Sequence, residues 1–180
     1  MAQTTLYPSA DTYIDEANPD TNYGTETTLH LKTQASNVRR SLVKFDIPVA
    51  LYGAYVSAAS LHWYVTTEKA YATDIVTYKL TSAFVVGTVT WNTKPTVDTA
   101  TNYRTFSWAS AGDVSGDIAP LVQIWCNSPS TNYGLQIRRT TVDSELSTQC
   151  SSADGANTPS LVITYQPRKG GIGIGNPFIF

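Results

Sequence analysis

Short runs of alternating apolar and polar residues, separated by turn-forming residues, recur along this chain and restrict it to a β-rich fold. In the segment 40–47, positions 41, 43, 45 and 47 share one face, and Pro48 ends the segment because it cannot donate to a strand ladder. The same period of two returns in segments 59–65, 75–80 and 160–165. Turn signals such as Asn18–Asp20 and Asp154–Gly155 lie between the runs. The pattern predicts one antiparallel β-sandwich of jelly-roll type.

One segment has the period of a helix instead. Positions 118, 121, 122 and 125 are apolar and lie on one helical face. Asp117 is a suitable N-cap, and Pro120 is tolerated in a first turn. We therefore expect a single short helix at about 117–126, closing one end of the sandwich.

The charge and composition of the chain limit its partners. The net charge is −2, and 14% of the 180 residues are charged, so no electrostatic attraction to nucleic acid is expected. No run approaches the roughly 20 apolar residues that cross a bilayer, which predicts no membrane insertion. Residues 1–7 lack the basic start and apolar stretch of a secretion signal.

The sequence offers no recognisable catalytic constellation. Its two histidines, His30 and His62, both fall within strand patterns, and no nucleophile-elbow, zinc-protease or phosphate-loop motif occurs. The glycine-rich segment 170–175 lacks a strand–turn–helix context for phosphate binding. We therefore expect a protein that is not an enzyme, with no catalytic residues and no cofactor.

Two further features leave alternatives open. Asp11, Asp15 and Asp20 lie at or near the 18–24 turn, where they supply either a calcium site or a solvated acidic loop. Cys126 and Cys150 have no metal-ligand spacing, so they are either two buried thiols or one disulfide in an oxidising compartment.

A four-residue repeat marks two equivalent corners. Thr21–Gly24 and Thr131–Gly134 both read Thr-Asn-Tyr-Gly, each after a proline-containing turn and before a strand. Glycine permits a positive φ, and asparagine can bond to its own backbone, so both tetrapeptides predict tight turns of the same kind.

These segments, taken in order, resemble the DNRLRE-type domains that are grouped with carbohydrate-binding module family 96. The resemblance covers about residues 4–166, and the similar segments are 10–15, 21–24, 40–46, 57–61, 89–95, 117–125, 132–135 and 159–165. It implies a jelly-roll β-sandwich found on secreted, cell-surface and some virion proteins, in some cases binding polysaccharide. Members commonly carry Ser-x-Glu near the last strands, where this chain has Ser151–Asp154.

Aromatic and planar polar side chains are the candidates for contact with sugar. Exposed rings stack on sugar faces, while polar side chains bond to the hydroxyls; the alternative is that a tyrosine beside a corner glycine packs internally. Trp63, Trp91 and Trp125 are assigned to the core. The candidate glycan-binding residues are Tyr13, Tyr23, Tyr64, Tyr133, Arg40, His62 and Asn132.

The last segment suggests a role in assembly. We expect a sandwich domain at 1–166 and a glycine-rich, apolar docking tail at 167–180, since exposure of its apolar side chains to water costs several kcal/mol. The interface candidates are Ile172, Ile174, Phe178, Ile179 and Phe180. This favours a structural, decoration or adhesion protein within an oligomer or larger assembly, most plausibly a virion, with other subunits as partners through the tail. The alternative is a secreted, extracellular carbohydrate-binding module that binds a polysaccharide.

Overall fold

The computed structural model describes residues 1–66, 72–108, 110–140 and 147–168. Within these ranges the chain forms twelve strands and one α-helix, α1 (Ala119–Asn127), with short 3-10 turns at Val49–Leu51 and Pro129–Thr131. The strands are β1 (Ala2–Leu6), β2 (Ala10–Asp15), β3 (Thr28–Leu31), β4 (Arg39–Lys44), β5 (Tyr55–Val65), β6 (Ala72–Leu80), β7 (Val97–Asp98), β8 (Arg104–Trp108), β9 (Gly112–Asp117), β10 (Leu135–Arg139), β11 (Thr148–Ser151) and β12 (Ser160–Gln166).

The strands form two sheets. Sheet A has the order β1-β12-β5-β11-β3, with β9 also paired to β5. Sheet B has the order β2-β4-β10-β6-β7, with β8 also paired to β6. All pairs between named strands are antiparallel. The structure thus confirms the predicted antiparallel β-sandwich with one short helix.

The main hydrophobic core lies between the sheets. The inward positions of the first predicted strand, Ser41, Val43, Phe45 and Ile47, are all buried. The ring of Trp63 on β5 and the ring of Phe106 on β8 form a tilted pair, with 5.2 Å between their centroids. This alternation of buried and exposed residues is what the period of two predicts.

A second, smaller cluster covers the outer face of sheet B. It contains Ile14, Leu42, Leu80 and Val89, with Phe84, Trp91, Val97 and Tyr133 packed against it. Leu42 points away from the main core and is nevertheless fully buried, because the segment between β6 and β7 lies over it. Trp91 belongs to this outer cluster, whereas Trp63 and Trp125 belong to the main core.

The helix begins two residues later than predicted. Asp117 is the last residue of β9, and the residue at the N-cap position is Ile118. The Asp117 carboxylate still accepts hydrogen bonds from the backbone N–H groups of Ala119, at 3.1 Å, and Ala59, at 3.0 Å. One side chain therefore ties the start of the helix to β5.

Both cysteines are free thiols buried in the main core, the first of the two predicted alternatives. Burial raises the pKa of Cys126 to about 11 and raises that of Cys150 as well. Thiols held protonated in this way are weak nucleophiles.

Most of the predicted docking tail lies outside the described residues. This applies to residues 169–180, which include all five interface candidates, Ile172, Ile174, Phe178, Ile179 and Phe180. In the part of the chain that the structure describes, no helix has the length and apolar character needed to span a membrane.

Candidate functional site

The basic residues that lie within the named strands all belong to one of the two sheets. Strands of sheet B contain seven lysine and arginine residues, whereas strands of sheet A contain none. Because the two sheets pack face to face, their outer faces point in opposite directions. The sandwich therefore presents two chemically different surfaces, and each has a depression.

The depression on sheet B lies where β4 begins and β10 ends. It has a volume of about 270 Å³. We call it the arginine cleft, and it is lined by Thr33, Val38, Arg40, Arg138, Arg139 and Thr140. None of these six lining residues is acidic, so the cleft has the charge and the donors expected of an anion-binding site.

Arg40 lies on the outer face of β4, beside Ile14 of β2. Its guanidinium carbon is 5.0 Å from the centre of the Trp91 ring, which also holds Lys94 Nζ at 4.5 Å. The Arg40 Nε atom is buried and has no hydrogen-bond partner among the described residues. Burial, followed by the positive charge of Arg138, lowers the pKa of Arg40, and the negative charge of Glu16 opposes part of this shift. A negatively charged group would relieve this repulsion.

Arg138 faces the cleft from β10, with its guanidinium carbon 4.4 Å from the centre of the Tyr78 ring. Both arginines are therefore supported by an aromatic ring. Stacking of this kind holds the planar guanidinium in a fixed orientation and leaves its edge donors available. The arrangement suits a carboxylate or sulfate group, which accepts paired N–H bonds.

The depression on sheet A is larger, at about 410 Å³. We call it the sheet A groove, and it is lined by His62, Trp63, Tyr64, Asp113, Asn157, Thr158, Ser160 and Val162. His62 Nδ1 lies 3.2 Å from Asp113 Oδ2, and both side chains reach solvent. Hydroxyl, amide, imidazole and carboxylate groups thus surround the ring of Tyr64.

The seven predicted sugar-binding residues do not form one site in the structure. Arg40 lines the arginine cleft, while His62 and Tyr64 line the sheet A groove. Tyr13 is buried, and its ring stacks on that of Tyr23 at 4.2 Å between centroids. Burial, followed by the neighbouring Tyr23, raises the pKa of Tyr13 to about 12. The Tyr13 ring therefore serves packing.

The two Thr-Asn-Tyr-Gly repeats form the predicted corners. Asn22 and Asn132 each accept a bond from the N–H of the glycine two residues later, at 3.1 and 3.2 Å. Each also donates to a distant carbonyl, Asn22 to Val86 and Asn132 to Phe45. Of the two corner glycines, Gly134 has a positive φ, of 97°, whereas Gly24 is required by the close approach of the Val86 backbone. Asn132 and Tyr133 thus belong to a structural corner.

The three aspartates proposed for calcium have separate protein partners. Asp11 accepts a bond from the Ala153 N–H at 2.7 Å, and Asp20 accepts one from Asn92 at 2.8 Å. Asp15 pairs with Arg39 at 3.1 Å. Across the described ranges, no three His, Cys, Asp or Glu side chains are grouped so as to hold a metal ion.

His30 lies in the same packed region as Tyr13, with its ring centroid 4.6 Å from that of Tyr13. Burial, followed by the charge of Arg39, lowers the pKa of His30 to about 4. The imidazole is therefore neutral near pH 7 and acts as a packing group, as expected for a histidine within a strand.

Sequence reasoning missed several residues of both depressions. Arg138 and Tyr78 were not recognised, because their role depends on the pairing of β10 with β6. Asp113 was missed for the same reason, since the pairing of β9 with β5 places it opposite Tyr64. The confinement of basic residues to certain strands was a usable signal once the strands had been assigned to sheets.

Comparison with known proteins gives one family and three relatives. The family model of carbohydrate-binding module family 96 matches residues 2–165. The relatives are "tRNA3(Ser)-specific nuclease WapA" of Bacillus spizizenii, 29% identical, and "tRNA nuclease WapA" of Bacillus subtilis strain 168 and "tRNA(Glu)-specific nuclease WapA" of Bacillus subtilis subsp. natto, each 28% identical. Each alignment covers 93% of this chain but 8% of the relative.

These relatives correct two predictions. The expectation that the chain is not an enzyme is wrong by this comparison, because the relatives are named as tRNA nucleases. That activity belongs to proteins of which the matched region is 8%. The relatives also give no support to a decoration role in a virion, and the family match favours the alternative of a carbohydrate-binding module.

Proposed function

The chain belongs to carbohydrate-binding module family 96, and from this membership we propose that it binds an acidic polysaccharide through the arginine cleft. The observation that carries the proposal is the pair of ring-supported arginines, Arg40 on Trp91 and Arg138 on Tyr78. A carboxylate or sulfate of the polysaccharide would occupy the space between the two guanidinium groups.

The physical case rests on charge and preorganisation. Each guanidinium can donate two parallel hydrogen bonds to one anionic group, which is stronger and more directional than a bond between neutral groups. Since the aromatic rings already hold the arginines in place, little side-chain entropy is lost on binding. Thr33, at the margin of the cleft, donates its hydroxyl to the Arg139 carbonyl at 2.9 Å, and the same oxygen can still accept a bond from a sugar hydroxyl.

Affinity electrophoresis and calorimetry with polygalacturonate test this proposal, with amylose as a neutral polymer of similar build. We expect binding to polygalacturonate that weakens as salt increases, because exposed ion pairs are screened. Arg40→Gln and Arg138→Gln should each weaken binding about tenfold, equivalent to about 1.4 kcal/mol.

Arg104→Gln provides the matched control, since it removes the same charge from an exposed arginine on β8 that does not line the cleft. Equal binding by all four proteins would refute the arginine cleft as the polysaccharide site. Equal retention by amylose would refute the preference for acidic sugars.

The relatives suggest how such binding would be used. In each of them the matched region is 8% of a longer chain. Binding of polysaccharide by such a region would hold the longer protein that contains it at a polysaccharide surface. We expect that surface to lie outside the cell.

A further inference from the structure

We propose that the sheet A groove is a second sugar site, which binds an uncharged pyranose through its hydroxyl groups. This inference rests on the proposed function, because it assigns a second subsite to the same carbohydrate-binding domain. The two sites would lie on opposite faces of the sandwich, with the arginine cleft on sheet B and the groove on sheet A.

The groove combines donors and acceptors around one aromatic ring. Tyr64 and Asp113 are opposite each other in the β5–β9 pair, and His62 is opposite Ser160 in the β5–β12 pair. Asp113 Oδ2 is 3.2 Å from His62 Nδ1. A carboxylate has about four lone-pair positions, so this pairing leaves acceptor capacity for a pair of neighbouring sugar hydroxyls.

The charge of sheet A excludes an acidic sugar from the groove. Asp113 lines it, and Asp117 lies on the same face of β9. No strand of sheet A contains lysine or arginine to offset these two carboxylates. A uronate or sulfated sugar would be repelled here, whereas a neutral pyranose would replace water around the same groups.

One wall of the groove is already fixed by hydrogen bonds. Asn157 and Thr158 form it, in the loop between β11 and β12. The Ala153 N–H donates to Asp11 at 2.7 Å, which anchors the start of the loop, and Thr158 Oγ1 donates to the Ala153 carbonyl at 3.3 Å, which ties the wall to that anchor. A wall built before the sugar arrives reduces the ordering cost of binding.

Two sites of different preference would make the domain bivalent. One face would take an acidic chain while the other takes a neutral chain, so that a single domain joins two kinds of polysaccharide. Sites on opposite faces are too far apart to share one sugar residue, so each should respond to its own substitutions.

Titration of the full chain with mannohexaose and cellohexaose, followed by NMR, tests the groove alone. We expect at least one hexasaccharide to shift the resonances of β5 and β9 residues. Tyr64→Ala and Asp113→Asn should each weaken that binding at least tenfold. Tyr7→Ala removes another exposed tyrosine that does not line the groove, and it should leave the affinity within twofold of the wild type.

Thermal unfolding of each variant shows whether it is folded. The proposal is overturned if neither hexasaccharide binds, or if the folded Tyr64→Ala and Asp113→Asn proteins bind as tightly as the wild type.

A bridging assay separates this inference from the proposed function. Polygalacturonate beads should retain a fluorescent hexasaccharide only when wild-type protein is present. The Tyr64→Ala protein should bind the beads without retaining the hexasaccharide. Failure of the wild type to bind the beads refutes the acidic site and leaves the hexasaccharide titration to decide the groove. In the NMR titration in solution, displacement of the bound hexasaccharide by polygalacturonate would mean one shared site and would overturn the second site.

Discussion

The carboxylate of Asp15 lies 3.1 Å from Nε of Arg39 inside the sandwich, where 1% of the Asp15 side chain is exposed. Asp15 also accepts bonds from the Ala17 N–H at 3.0 Å and from Asn18 Nδ2 at 3.2 Å. All three donors compensate the negative charge of this buried carboxylate. The Asp15–Arg39 pair therefore joins β2 to β4 and fixes the turn that follows β2.

Removal of the arginine should cost stability because it leaves the buried carboxylate without its countercharge. We expect Arg39→Ala to lower the free energy of unfolding by about 3 kcal/mol in urea titrations. Lys44→Ala breaks the exposed Lys44–Asp46 pair instead and should cost less than about 1 kcal/mol. Equal losses in the two variants would contradict this view of the Asp15–Arg39 pair.

Asp11 should make stability depend on pH. Burial raises its pKa from 3.8 to about 6, against the opposing effect of the Ala153 hydrogen bond. Because the pKa of Asp11 is higher in the folded protein than in the unfolded chain, protonation of Asp11 favours folding. The stability that this protonation contributes is fully present below about pH 4 and is lost as the pH rises through 6. We expect Asp11→Asn to gain about 2 kcal/mol over the wild type at pH 8 relative to pH 4. If the difference in urea midpoint between Asp11→Asn and the wild type were the same at pH 4 and pH 8, the raised pKa of Asp11 would be contradicted.

The corner at Gly134 should tolerate no side chain. Its φ is +97°, and an added Cβ would come within 2.5 Å of the Val43 carbonyl oxygen. We expect Gly134→Ala to lower the free energy of unfolding by about 2 kcal/mol or more. Gly87→Ala is the control, because nothing lies within 4 Å of the point where its Cβ would sit and its φ is not in the left-handed region. Its effect, measured by the same urea titration, should stay within about 0.5 kcal/mol.

Trp91 should affect polysaccharide binding although it does not line the arginine cleft. Its ring supports Arg40, so Trp91→Leu should weaken binding to polygalacturonate about fivefold, as expected for loss of a partly buried cation–π contact. Lys94→Gln removes the other cation from the same ring and should change the affinity less than twofold. Calorimetry measures both, and the reverse ranking would mean that Lys94 carries the contact to the polymer.

The two thiols should be unreactive in the folded protein. Cys126 and Cys150 are buried, and burial raises the pKa of both. We expect a thiol reagent such as dithionitrobenzoate to label neither residue in buffer and both in denaturant without reductant. Absence of thiols in the denatured protein would show that the cysteines are bonded to each other.

Local patterns predicted the strands well but could not predict what covers them. Ser41, Val43 and Phe45 were assigned to the core from their spacing, and all three are buried. The same spacing assigned Leu42 to the charged face, yet it is fully buried because the segment between β6 and β7 packs over sheet B. That contact joins residues about 50 positions apart, so the alternation of apolar and polar residues within one strand cannot predict it.

The same limit applies to the site. Arg40 was a candidate from its position in a strand, but Arg138 acquires its role only because β10 lies between β4 and β6. Tyr64 and His62 were candidates as an aromatic and a polar residue on one face, which a single strand does reveal. The partners that complete each depression come from strands distant in the chain, and pairing between distant strands has no local signal in a single sequence.

The pairing of β1 with β12 has a mechanical consequence. Ala2 is opposite Tyr165, so the two ends of the sandwich leave it side by side at the edge of sheet A. A pulling force applied through both ends would act across the hydrogen bonds of this pair and break them one after another, as in unzipping, rather than all together in shear. A domain of this kind would yield at low force, and β1, the outermost strand of sheet A, would be the first to separate.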